Sequence, residues 1–141
     1  MTADGGEGAL VVAAYGQRGE LLAADGRRLS YFVGRRGLRP CCGDRVSWQL
    51  QEGGEAAVSA VAVRSNELAR QPPRDPRPEI LAANLSHLLV VVAPLPAMDP
   101  FIVDRYLCAA ELMGCAAAVA WNKADLAGPP EGDLDTWAAL G

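Results

Sequence analysis

Four prolines fall within the seven residues Pro72-Pro73-Arg74-Asp75-Pro76-Arg77-Pro78, and this stretch constrains the fold more than any other. Proline fixes φ and removes a backbone donor, so neither a helix nor a central strand can run through such a segment. The chain is therefore read as two bodies. A barrel is expected over 1–72 with 1–8 disordered, a proline-rich linker over 73–79, and the start of a second domain over 80–141. The hydrophobic period changes at the same place, which supports the split.

Before the prolines the chain reads as β throughout. Apolar runs occupy Ala9 to Tyr15, Glu20 to Ala24 and Arg28 to Val33, and Asp25-Gly26 between the last two is a two-residue hairpin signal. From Arg45 to Gln51, Val46, Trp48 and Leu50 alternate inward, and Gly53-Gly54 then turns into Ala56 to Val63. Five short strands without a helical period suit a small all-β barrel of the OB type, since closing the sheet removes exposed edges. An SH3-like barrel of similar size fits the pattern equally well.

After the prolines the chain reads as the first β-α-β portion of an α/β domain. Leu85 to Ala93 is a near-continuous apolar strand of the kind buried on both faces of a parallel sheet. Asp99-Pro100 opens a helix with an N-cap acid and a proline at its first position, and Gly114 ends it. Ile102, Val103, Tyr106, Leu107, Ala110 and Met113 share one face of that helix, and Cys115 to Trp121 is the next strand. A further helix is expected near Asp133, with Leu134, Trp137, Ala138 and Leu140 apolar.

The start, Met1 to Glu7, is acidic and glycine-rich rather than a signal peptide, and the apolar stretch Leu88 to Ala97 is far short of a membrane span. Cys41, Cys42, Cys108 and Cys115 fit neither a zinc knuckle nor a disulfide framework, and His87 reads as a strand-edge residue. Metal ligands: none.

Chemistry concentrates after Trp121. Lys123 is the only lysine of the chain, the other twelve basic residues being arginine, and it stands in Asn122-Lys123-Ala124-Asp125, an N-K-x-D pattern. Guanine presents a ring N–H and an exocyclic amine side by side, and an ionised Asp125 can accept from both at once. Adenine offers an acceptor at that ring position and no amine. Sites built to hydrogen-bond a substrate group reject analogues lacking it by roughly 10⁴-fold or more. Asn122 can serve the opposite edge of the base and tie the loop together. Lys123 would lay its stem along the purine face with its ammonium in water, and Ala124 is a spacer.

No G-x-x-x-x-G-K-S/T phosphate loop precedes the motif. Either the domain is circularly permuted, or the N-K-A-D pattern is accidental. The stretches that bear on this are Gly43-Asp44-Arg45-Val46, Arg64-Ser65-Asn66-Glu67-Leu68-Ala69-Arg70, Ile80-Leu81-Ala82-Ala83-Asn84, Ile102-Val103-Asp104-Arg105-Tyr106-Leu107 and Asn122-Lys123-Ala124-Asp125-Leu126. In order and spacing, over roughly residues 9 to 127, they resemble the amino-terminal part of the ribosome-small-subunit-dependent GTPase A family, the circularly permuted GTPases of bacterial 30S maturation.

The resemblance implies an OB-fold, a permuted GTPase domain and then a zinc-binding helical domain. It implies a cytoplasmic, monomeric GTP-hydrolysing factor whose partners are the small ribosomal subunit with its 16S rRNA and guanine nucleotide, with no membrane contact. The phosphate loop, the switch regions and the zinc ligands of the family are not in these residues, so Mg²⁺ and Zn²⁺ are expected only downstream. The 141-residue chain alone is expected not to be catalytic. The alternative is a non-enzymatic OB-fold RNA-binding module followed by a truncated or degenerate GTPase tail.

The net charge of −4 hides a basic segment. Arg27, Arg28, Arg35, Arg36, Arg39 and Arg45 stand against one acid, Asp44. Arginine forks on a small barrel suit phosphate contacts, and these six are the candidate RNA-binding residues. Of the nearby aromatics Tyr31, Phe32 and Trp48, the last suits the core, so contact with folded rRNA backbone is expected rather than base stacking. The competing reading is a solvated, arginine-rich surface. Asp104 and Arg105, on the helix, are expected to be structural.

Overall fold

A computed structural model describes residues 5–139. The chain divides into two compact units between Leu85 and Ser86.

In the first unit β1 (Gly5–Tyr15), β2 (Arg18–Leu22), β3 (Arg28–Val33), β4 (Arg45–Leu50) and β5 (Ala56–Val61) close into a barrel in the order β1-β2-β3-β5-β4. The β3–β5 pairing is parallel, with Tyr31 opposite Ala56 and Val33 opposite Val58, whereas the other pairs are antiparallel. A parallel neighbour requires the chain to cross over through β4, the Greek-key route of the OB barrel. That pairing decides against the SH3-like alternative.

Side chains alternate as the sequence pattern demands. Val46 and Trp48 of β4, Tyr31 and Val33 of β3 and Ala56 and Val58 of β5 are buried together with Val11 and Leu21. β1 reaches both of its neighbours by bending, with register shifts between Val11 and Ala13 against β2 and between Gly6 and Ala9 against β4. One glycine is required by contact: a Cβ on Gly19 would lie 2.1 Å from the Ala13 carbonyl oxygen and 2.6 Å from the Tyr31 ring. Tyr31 fills the space so left, its hydroxyl buried and without a hydrogen-bond partner among the described residues.

Three expectations change here. Residues 5–8, expected to be disordered, belong to β1, where Gly5 pairs with Gln49 and Gly6 with Trp48; residues 1–4 lie outside the described residues. The Asp25-Gly26 turn is a three-residue loop, because Ala23 N–H still bonds Arg27 O at 2.9 Å; Gly26 takes the positive φ such loops need. The prolines join no domains. They lie in the loop of a hairpin formed by β6 (Glu67–Arg70) and β7 (Glu79–Ala83), where missing N–H donors cost nothing, and the unit runs on to Leu85.

Side chains fasten this hairpin to the barrel exit. Asn66 accepts from Leu85 N–H at 2.7 Å and donates to Leu85 O at 2.9 Å. Asn84, at φ 55°, accepts from Ser65 N–H at 2.8 Å and donates to Gly43 O at 2.9 Å. Gly43, at φ 91°, leaves no room for a Cβ, which would sit 1.9 Å from Ala83 O.

In the second unit β8 (His87–Val92) and β9 (Ala116–Trp121) run parallel, joined through α1 (Pro100–Met113), with α2 (Asp133–Ala138) following. Asp99 caps α1 by accepting Phe101 N–H at 3.0 Å, and Gly114 closes it at φ 67°. Val90 and Val92 pack with Val103 and Trp137. β8 is not buried on both faces as expected: Leu89 and Val91 are 60% and 59% exposed. On α1, Val103 and Ala110 are buried while Ile102 stays exposed, so the packed stripe is narrower than the pattern suggested. Leu140, expected in the last helix, lies outside the described residues. No helix among the described residues is long and apolar enough to cross a membrane.

Candidate functional site

The N-K-A-D loop begins as a continuation of the sheet. Asn122 N–H donates to Val92 O at 2.7 Å, one step past the end of β9, which carries the loop to the carboxyl end of both parallel strands. Ligands of open α/β sheets bind at that end. The chain then turns: Lys123 takes a left-handed φ of 55°, and Leu126 N–H bonds Lys123 O at 3.0 Å. Asn122 Oδ1 accepts Lys123 N–H at 2.9 Å, so its amide oxygen ties the loop while its Nδ2 has no partner among the described residues.

Lys123 is exposed, and its Nζ also donates to the Leu95 carbonyl at 2.8 Å on the β8–α1 loop. Leu95 was not a candidate, and with the two 28 positions apart in sequence no local signal could have supplied it. Asp125 and Ala124 are exposed, and among the described residues Asp125 has no hydrogen-bond or ion-pair partner. A carboxylate with all its lone pairs available beside a preformed turn can take two adjacent donors. Cavities of about 420 and 940 Å³ flank the sheet, the first lined by Val91, Met98 and Ile102, the second by Leu112, Ala117 and Trp137. Neither is lined by the loop, which forms an open rim.

The six candidate arginines are all exposed but not equivalent. Arg27 pairs with Asp25 at 2.7 Å, Arg28 reaches Glu20 at 3.7 Å, and Arg45 donates to Gly8 O at 3.1 Å. Arg35, Arg36 and Arg39 lie on the loop between β3 and β4 and have no ion pair within bonding distance among the described residues. Leu38 packs on the barrel core and Pro40 and Cys41 are buried, so the loop is pinned while its arginines point out.

The pin continues into a buried acid that sequence reasoning did not single out. Asp44 is fully buried; it accepts from Cys41 N–H at 2.8 Å and from both Arg64 Nε and a terminal Arg64 nitrogen at 2.8 Å. Burial works to raise its carboxyl, but the Arg64 guanidinium and the Cys41 N–H outweigh this and hold it below the usual carboxylate range. Arg64 also donates to Glu67 at 2.9 Å and to Arg39 O at 3.4 Å, so one guanidinium closes the end of the arginine loop. The sequence signals were an acid in an otherwise basic run and the presence of Asp44 and Arg64 in two of the stretches that carry the family resemblance. Among the described residues no group of three His, Cys, Asp or Glu could hold a metal ion, and the four cysteines are free thiols.

Comparison with known proteins bears on both regions. The family described as RsgA GTPase matches residues 61–140. A relative named small ribosomal subunit biogenesis GTPase RsgA, from Alcanivorax borkumensis, is 38% identical over 126 residues, covering 83% of this chain and 35% of its own length. The protein of the same name from Pseudomonas putida is 38% identical over 122 residues with the same coverage. The chain thus spans about a third of the length of these relatives. Among solved structures, YjeQ from Thermotoga maritima superposes with a TM-score of 0.60 at 24% identity, covering 95% of this chain and 46% of that one. YloQ, described as a circularly permuted GTPase, gives 0.58 at 20% identity, with 96% and 46% covered. At these identities the two structures speak for the fold.

Proposed function

The chain belongs to the RsgA GTPase family, and from that premise we propose that it supplies the guanine-reading loop and the RNA-contacting barrel of a GTP-binding factor in small-ribosomal-subunit maturation. The observation that carries this reading is the Asn122–Asp125 loop, held in a turn at the carboxyl ends of β8 and β9 with the Asp125 carboxylate unengaged. In this reading Asp125 accepts from the ring N–H and amine of guanine, and Asn122 Nδ2 donates to the opposite edge. The Lys123 stem lies along the purine with its Nζ on Leu95 O, and Ala124 is a spacer. GTP with Mg²⁺ is the ligand the family implies. The sequence holds no phosphate-loop pattern, so these residues are assigned base recognition and no hydrolytic step.

The barrel is assigned the rRNA backbone as partner, through Arg35, Arg36 and Arg39 first, with Arg27, Arg28 and Arg45 as partly engaged neighbours. The alternative to be excluded is a non-enzymatic RNA-binding barrel followed by a tail that does not read guanine. Amide NMR separates the two. Millimolar GDP should shift the Asn122–Leu126 resonances and ADP should not. Asp125→Asn should transfer the response to a xanthosine nucleotide, at a cost of about 2–4 kcal/mol in guanine preference. An equal response to ADP, or an unchanged guanine preference in the variant, would remove the base-reading role.

A further inference from the structure

We propose that the proline-rich loop of the β6–β7 hairpin is a second phosphate-contacting edge of the arginine face, with Arg74 as its contact residue for RNA backbone. This rests on the RNA reading of the barrel and extends it to a segment that carries no assigned role.

The placement follows from the strand geometry within the first unit. Cys42 forms a parallel bridge with Ala82, and Ala83 N–H bonds Cys42 O at 2.9 Å. Because that pairing is parallel, stepping back from Cys42 into the arginine loop and from Ala82 towards the hairpin loop runs in the same direction. The bridge sets the end of β7 against the end of the arginine loop, and Arg64, bonded to Glu67 at the start of β6, donates to Arg39 O at 3.4 Å and so ties Arg39 to the base of the hairpin. The Asp75 carboxyl agrees with this. It is held below its usual value first by hydrogen bonds from the Arg77 backbone and guanidinium, and in smaller part by the charge of Arg39.

The charges on the hairpin sort into engaged and available. Arg70 pairs with Glu79 at 2.7 Å and Arg77 with Asp75 at 3.3 Å. Arg74 is exposed and has no such partner among the described residues. The loop is also ordered before any partner arrives. Pro72, Pro73, Pro76 and Pro78 fix their own φ, Asp75 accepts Arg77 N–H at 3.0 Å, and the Gln71 amide donates to Asp75 O. A pre-ordered loop loses little entropy on binding, so a single guanidinium there counts for more than one on a mobile tail. No aromatic residue lies between Gln71 and Pro78, which fits phosphodiester contact on folded RNA and not the stacking of single-stranded bases.

The test is binding of the 141-residue chain to purified bacterial small ribosomal subunits across a salt series, with far-UV circular dichroism confirming the fold of each variant. Arg74→Ala should weaken binding several-fold and lower the log–log salt slope by about 1, and Arg35→Ala with Arg36→Ala should lower it by about 2. Arg105→Ala, on α1, should change neither. If the paired variant weakens binding while Arg74→Ala matches the parent in affinity and slope, the hairpin proposal falls and the RNA reading stands. If neither alters binding, both fall. An Arg105→Ala loss equal to that of Arg74→Ala would reduce the effect to net charge and overturn the proposal.

Discussion

The two units use apolar β sequence in opposite ways. In the first, every barrel strand has a neighbour on each side, and Asp44, the one fully buried charge among the described residues, accepts from three donors. In the second, β8 and β9 have each other and no further strand among the described residues. One face is covered through Val103 and Trp137, while Leu89 and Val91 are left in solvent. Parallel sheets are ordinarily covered on both faces. Closure therefore gives every barrel strand two neighbours, whereas the open sheet carries the Asn122–Asp125 loop on a scaffold that still offers apolar surface.

The largest expected effect breaks the closed unit and spares the open one. Asp44→Asn should destabilise the barrel by about 3 kcal/mol, because the half-buried Arg64 loses its two-pronged buried carboxylate and keeps only the more exposed Glu67 as a counter-ion. Hydrogen exchange should show protection lost across β1–β5 and retained at β8 and β9; equal loss in both would show that they unfold as one. The sign of the pH dependence follows from the same pair. The folded-state carboxyl lies below its unfolded value, so its contribution is complete above the ordinary aspartate range and disappears as pH falls through the folded value. Urea midpoints measured down a pH series should decline there for the parent and not for the variant.

A smaller effect is expected at the open face. The parent should self-associate with rising concentration, and Leu89→Lys with Val91→Lys should suppress this while stability stays within about 0.5 kcal/mol. Sedimentation velocity reads both; association unchanged by the double substitution would place the contact elsewhere.

The smallest effect concerns the turn at Asn122–Leu126. Lys123→Gly and Lys123→Ala both lose the bond to Leu95, but only glycine is at ease at φ 55°. Local exchange at Asn122–Leu126 should favour the glycine variant by about 1 kcal/mol. Equal exchange would mean the left-handed turn stores no strain.

What the sequence revealed and what it hid divide along contact range. The inward set Val46 and Trp48, the caps Asp99 and Gly114, and the strand leading into Asn122 were legible because each depends on neighbours within a turn or a pleat. The β6–β7 hairpin was not. Glu67–Arg70 is too short to show a period, its loop reads as a linker, and what holds it in place is the reach of Asn66 and Asn84 across 19 and 41 residues. The candidate site followed the same rule. Asp125 and its spacing stood out in one dimension, while the Leu95 acceptor for Lys123 and the Asp44–Arg64 pin behind the arginine loop exist only once the chain has folded.

The pin has a kinetic consequence. Cys41 lies inside it, its N–H on Asp44 and its thiol pushed up to about 11, first by burial and then by the neighbouring carboxylate. A thiol must ionise to react, so at neutral pH this sulfur is silenced twice, by protonation and by enclosure. Alkylation of Cys41, followed with the other three cysteines replaced by serine, would proceed only through molecules whose barrel has come open. Its rate would time that opening from within, without a probe having been added.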